Sequence, residues 1–504
     1  MNVANWLAAS ATQTPQKTAV ICGNESISYE QLDRSTTSLA HWLLSQGCSP
    51  GDRVALHWPN SIEMVKLLFA CFKAGIIAVP VNIHMKAPEV AYVLAHSKAA
   101  LCFSHPDFAA TTRQTTKGNN SLRAIYTSLD GLDSEAGKAA LPQTDAKNPA
   151  LVLYTSGTTA RPKGVTHSHR TLMEAVRMIF SAAPSGLETI LVMTQMAFIS
   201  SIMAGLLPAV FLGATTVLVR TFEASLVLNL IERFQCGFVF ALPSMVQFLI
   251  EEQVRQPRNI GSLRTLIAAG DAVPTAVHER FQSVFGFQLR EGYGMTEIGP
   301  SIVNPLTGNR PGSLGQTIPE VEVRIVDSNG VDLPNGQIGE IITKSPAIFV
   351  EYWDNPAATQ AAFEDGWFRT GDLARRDADG YYWFEGRKKE IIIRDAINIS
   401  PQEIEEAFYD HPAVLEAAII GTPDPVPARG EQIVAFVALR KGLTAGLEEL
   451  KDHVRLRLAD YKVPERIVFI ESLPKGITGK IQRRALKEMV ATYDLATSNL
   501  AASA

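Results

Sequence analysis

The sequence contains no CxxC pair, no block of like charge and no long apolar run free of interruption. Its five cysteines, Cys22, Cys48, Cys71, Cys102 and Cys236, are odd in number and scattered through apolar surroundings. They read as reduced structural thiols in a cytoplasm rather than as a disulfide framework. The formal charge is -5 with acids and bases intermixed, so nucleic acid is not an expected partner. The start, MNVANWLAASATQTPQ, lacks both a basic segment and a continuous apolar one, so no signal peptide is expected and the mature chain is expected to start there. The most hydrophobic window, 197–219, is broken by Ser200, Ser201, Pro208 and Gly213, and reads as a buried helix followed by a strand, not a membrane span.

What is present is apolar and patterned. At 504 residues the chain exceeds one ordinary core, and a norm of roughly 150 residues per domain gives about two to four domains. Apolar residues make up 46% and charged residues 19%, which supplies large cores and argues against disorder. RVALHW, then a helical SIEMVKLLFACFKAG closed by Gly75, then IIAVPV, gives a strand, helix, strand order, with Asn60 and Glu63 at capping-box spacing. The order repeats across 265–294, so the large N-terminal part is expected to be α/β, with mostly parallel sheets and crossover helices. The last hundred or so residues change grammar: a short helix capped by Ser400 and Glu403, two long strands, a helix and a last strand predict a small α+β domain. The boundaries are expected at 1–386, 387–389 as linker, 390–490, and a disordered tail over 491–504.

Tyr154 to His169 reads YTSGTTARPKGVTHSH. Thr155, Ser156, Gly157, Thr158 and Thr159 offer hydroxyls and closely spaced backbone N–H groups, the equipment that wraps phosphate oxygens, and Lys163 adds a mobile positive charge. By composition alone a solvated turn fits equally well. A Walker A loop is excluded by Pro162 and Gly164, and GYGMTE at 292–297 fails the dinucleotide pattern because Glu297 stands in the sixth position.

Four motifs in order, YTSGTTxxPKG, GYGMTE, WFRTGDLARRDADGYYWFEGRKKE (367–390) and LPKGITGKIQRRAL (473–486), resemble the signatures of the adenylate-forming (AMP-binding) superfamily, and the resemblance spans nearly the whole chain. It implies an acid–thiol ligase of the acyl-CoA synthetase kind: ATP and a carboxylic acid give an acyl-adenylate and pyrophosphate, then coenzyme A takes the acyl group. It implies that Thr155 to Thr159 and Lys163 hold the β- and γ-phosphates, Thr159 among the catalytic residues. Gly270, Asp271 and Ala272 would lie along adenine, and Tyr293 would offer it an aromatic face. Gly294, Met295 and Thr296 would adjoin the nucleotide, and Glu297 would contact Mg2+. Asp372 would bind the ribose with Arg387 as helper, Lys480 would bridge substrate carboxylate and α-phosphate as catalytic lysine, and Lys389 would be the hinge of a mobile small domain.

The chain departs from that pattern in places. Ala160 replaces a common glycine, and Asp395 and Ala396, with Arg394 before them, stand where acyl-CoA synthetases usually carry two glycines. Added side chains there could narrow the way to the acceptor thiol, so a carrier-protein phosphopantetheine or an amine remains an alternative acceptor. A non-catalytic nucleotide-binding protein is the third reading. Phe198, Ile199, Met203 and Met245 are candidate acyl-pocket residues; their apolar character favours a hydrophobic monocarboxylate, with core packing as the alternative. A homodimer is the default expectation for a soluble enzyme.

Overall fold

The structure is a computed structural model and describes residues 2–115, 121–132, 140–155, 161–395, 397–426, 429–476 and 480–490. Two large sheets form the N-terminal part. One has the order Glu351–Tyr352, Lys163–Ser168, Pro149–Thr155, Ile77–Pro80, Arg53–His57, Leu101–Ser104, Ala124–Tyr126. From Pro149–Thr155 onward the neighbours are parallel, whereas Lys163–Ser168 turns back antiparallel on Pro149–Thr155. Ile77–Pro80 and Leu101–Ser104 are buried at every residue, as strands covered by helices on both faces must be.

The second sheet is nine-stranded. Its parallel centre runs Thr18–Cys22, Thr215–Leu218, Thr189–Val192, Phe238–Ala241, Thr265–Ala269, Arg290–Met295. The helix Thr275–Phe285 crosses over between the last two strands. A smaller antiparallel sheet follows, in which Trp367–Arg376 pairs with Gly339–Lys344 on one side and Tyr382–Arg387 on the other. The C-terminal part pairs Val414–Pro423 antiparallel with Glu431–Leu439, which lies parallel to Arg466–Phe469. Helices Pro401–Tyr409 and Leu447–Arg455 share its core through Ile404, Phe408, Leu450 and Val454. This is the expected large α/β unit with a small α+β one.

Two caps differ from expectation. Helix Ile62–Ala74 starts one residue later than the Asn60–Glu63 spacing suggests, because Ser61 accepts from the Met64 N–H. Asn60 is spent elsewhere: its amide donates to Thr194 O (2.8 Å) and Val219 O (3.1 Å) and its oxygen accepts from the Met196 N–H (2.9 Å). Ser400 does stand before helix Pro401–Tyr409, but its hydroxyl donates to Glu385 O and makes no cap bond, while Glu403 pairs with Lys462. Gly75 closes its helix in the left-handed region, φ 70°, as read. The 197–219 window folds as a broken helix, with a π-turn at Ile202–Leu206 just before Pro208, and the strand Thr215–Leu218. No described helix is long and apolar enough to cross a membrane. The five cysteines are unpaired. The tail 491–504 lies outside the described residues.

Candidate active site

The hydroxyl-rich loop joins two antiparallel strands, and Thr155 sits opposite Lys163 at the mouth of that hairpin. Ser156, Gly157, Thr158, Thr159 and Ala160 lie outside the described residues. Lys163 Nζ stands 4.4 Å from the centre of the Tyr352 ring, and the Tyr352 hydroxyl donates to Glu297 Oε1 at 2.9 Å. One chain of contacts therefore links the first motif to the second. Glu297 is buried, and burial pushes its carboxyl above the ordinary range against the pull of Tyr352, Lys163 and Lys480. The turn that carries it is pinned on two sides: His167 Nε2 reaches Thr296 O at 2.7 Å, and the Phe349 N–H donates to Glu297 O at 2.6 Å. Burial lowers His167 to about 4, so the ring is neutral at pH 7 and donates from Nε2 to that carbonyl. Tyr352 and His167 were not foreseen; nothing in their local sequence marks them.

Gly294 is required by space, since a Cβ there would sit 2.4 Å from Gly299 O across the hairpin. Its neighbour Tyr293 is buried among Ile298, Ile302 and Leu314, and its hydroxyl donates to Asp372 Oδ2 at 2.8 Å. Asp372 faces Arg387 across the strand pair, with Arg387 Nε 3.4 Å from Oδ1. Desolvation raises the Asp372 carboxyl, and Arg387 and Tyr293 oppose the shift. Tyr293, Asp372 and Arg387 thus form a polar chain from three strands, buried at Tyr293 and Asp372 and half-exposed at Arg387.

Lys480 enters from the C-terminal part. It lines the interdomain cleft with Asp271 and Ala272 and lies above Gly270, whose virtual Cβ would be 3.8 Å from Lys480 Cε. Gly270 holds φ 101°, where a side chain would be strained. Burial and then Arg387 lower the Lys480 ammonium, while Asp271, Asp372 and Glu297 hold it up. Lys389 is exposed in the turn after Tyr382–Arg387, where the Glu390 N–H donates to Arg387 O.

The acyl-pocket candidates divide. Met203 is buried in the core cluster that contains Val192 and Met196, and Ile199 packs against that cluster; Phe198 caps the broken helix. Met245 packs against a different cluster, around Val246 and Leu249. At the departure from the family pattern, Asp395 itself adopts the left-handed conformation, φ 48°, that a glycine would favour. Its carboxylate pairs with Arg429 at 3.2 Å, and the buried Arg394 pairs with Glu465. Ala396 lies outside the described residues.

Residues 7–353 match the model of the AMP-binding enzymes, and 403–480 that of the AMP-binding enzyme C-terminal domain. A feruloyl-CoA synthase from Amycolatopsis sp is 34% identical over 481 residues, covering 95% of this chain and 96% of that protein. The fatty acid–[acyl-carrier-protein] ligase ScoC of Streptomyces coeruleorubidus is 33% identical over 498 residues, 95% and 94%. The crystal structure of the anthranilate CoA ligase AuaEII with anthranoyl-AMP superposes with a TM-score of 0.91 at 28% identity, covering 97% of each chain. With a large N-terminal segment and a C-terminal one both matched, the chain belongs to the adenylate-forming AMP-binding enzymes.

Proposed function

We propose that the protein is an ATP-dependent acid–CoA ligase that joins a hydrophobic monocarboxylate to AMP and then to the thiol of coenzyme A. The observation that carries this reading is that Asp271, Glu297, Asp372 and Arg387, from separate motifs, all lie near enough to Lys480 of the small unit for their charges to act on its ammonium. In the first step a carboxylate oxygen attacks the α-phosphorus, and the bond to the bridging oxygen breaks with its electrons leaving on pyrophosphate. Charge grows on the α-phosphate, and the Lys480 ammonium is the cation placed to offset it. Asp372, fixed by Tyr293 and Arg387, accepts hydrogen bonds from the ribose hydroxyls. Gly270, Asp271 and Ala272 flank the adenine. Met295 and Thr296 adjoin the α-phosphate, and Thr155 to Thr159 with Lys163 hold the β- and γ-phosphates.

Glu297 fits a Mg2+ ion that arrives with ATP: it is a buried carboxylate with one oxygen on Tyr352 and no ion pair among the described residues. No group of three or more His, Cys, Asp or Glu among the described residues could hold a metal, which suits an ion bound by one carboxylate and substrate oxygens. Bound there, Mg2+ would neutralise phosphate charge.

In the second step the CoA thiolate attacks the acyl carbon and AMP leaves with the electrons of the C–O bond. The turn at Lys389 is the hinge between units 1–386 and 390–490, about which the small unit exchanges one half-reaction for the other. Phe198, Ile199 and Met203 supply the apolar wall for the acid; Met245 is set aside because it packs elsewhere. The unpaired cysteines support a cytoplasmic location. The second reading, transfer to a carrier protein or amine, is favoured by one observation: the Asp395–Arg429 pair occupies the loop where glycines were expected. ATP–pyrophosphate exchange across a panel of acids, followed by AMP release with and without CoA, tests both. Exchange with CoA-dependent release supports the first reading, and exchange indifferent to CoA supports the second.

A further inference from the structure

We propose that Glu406 is a positioning residue for adenylate formation, because it closes the helix behind the nucleotide loop from the opposite domain and so couples docking of the small unit to the shape of that loop. The inference rests on the adenylation reading above. Helix Thr275–Phe285 begins after Pro274, a residue with no side-chain acceptor, and no side chain of its own segment caps it. The Thr275 N–H donates instead to Glu406 Oε2 at 3.1 Å, 131 residues away in sequence. The loop before that helix is Gly270–Pro274, which carries Asp271 and Ala272. From within the large unit it is held by Glu291, which accepts from the Val273 N–H at 3.3 Å and from His278 Nε2 at 2.7 Å. Glu406 is the other support.

The residue before it completes a clamp. Glu405 accepts from Arg483 at 2.6 Å, and Arg483 follows Lys480 by three positions. Two successive carboxylates on helix Pro401–Tyr409 thus reach the lysine segment and the nucleotide loop. Burial pushes the Glu406 carboxyl up to about 7, with Glu291 from the large unit and Asp410 at the end of its own helix adding to the rise and the Thr275 N–H and His278 opposing it. An undocked small unit would return Glu406 to the ordinary carboxylate range. The docked arrangement therefore holds the proton more tightly. Its advantage is fully present below the undocked value, falls as pH rises toward about 7, and is level above that.

The test uses the full chain and pyrophosphate exchange with an accepted acid. Glu406→Ala removes the acceptor, and a lost cap is expected to lower kcat/KM for ATP by about fivefold. Glu406→Gln keeps an acceptor without charge, so it restores the rate. Its ratio to wild type should climb between about pH 5 and 7 and level off above, as a group titrating near 7 only when docked requires. An unchanged rate in Glu406→Ala, or a flat ratio for Glu406→Gln, overturns the inference while leaving adenylation intact. No exchange from the wild-type protein with any acid overturns both.

Discussion

Tyr352→Phe removes one hydroxyl and tests how Glu297 is kept ionised. The hydroxyl donates to Glu297 Oε1 at 2.9 Å, and both side chains are buried. Burial already raises the Glu297 carboxyl, so the anion depends on the donors and cations around it. A hydrogen bond to a charged group is worth about 1.5–3 kcal/mol, and one pKa unit is about 1.4 kcal/mol. Loss of the hydroxyl therefore withdraws a donor from the anion and lifts the Glu297 carboxyl further. A carboxylate with a raised pKa is lost as pH falls through that value, so activity that needs the anion fails at a higher pH in the variant. Pyrophosphate exchange measured against pH should show its acid limb displaced to higher pH, with a higher Mg2+ requirement at fixed pH. An acid limb that stays in place, with unaltered Mg2+ dependence, would refute the reasoning.

Gly294→Ala forces a Cβ to 2.4 Å from Gly299 O, and overpacking of that kind should cost about 1–3 kcal/mol and lower Tm by roughly 2–12 °C in a thermal melt. Asp395→Gly removes the pair with Arg429 at a half-exposed site, so exchange should stay within about twofold while CoA-dependent AMP release changes. Lys389→Pro should preserve one half-reaction, read by exchange or by AMP release, and abolish the other; two unchanged rates would contradict the hinge.

The chemistry was legible where the reaction dictates residue types. Glu297, Asp372, Arg387 and Lys480 stand in patterned motifs, and in the structure the first three lie within electrostatic reach of the lysine. What holds them was not legible. His167 reaches its target from the strand after the hydroxyl loop and Tyr352 from the strand paired beside it, across 129 and 55 positions of sequence, and such contacts leave no local pattern. Glu406 is equally silent, because its partner is a backbone N–H of another domain. Asn60 was misread for a related reason: it has the right type and spacing for a cap, but three tertiary hydrogen bonds claim its amide, and Ser61 takes the cap. The helix ends that did read correctly, such as Gly75, are those decided by backbone conformation alone.

In the proposed function Lys480, delivered by the small unit, completes an adenylating site. ATP–pyrophosphate exchange over a panel of monocarboxylic acids, run on wild type and Lys480→Ala, tests it most directly. Exchange is expected with apolar acids and should fall at least about a hundredfold in the variant, with Tm unchanged. Exchange undiminished in Lys480→Ala, or absent with every acid in the wild-type protein, would contradict it.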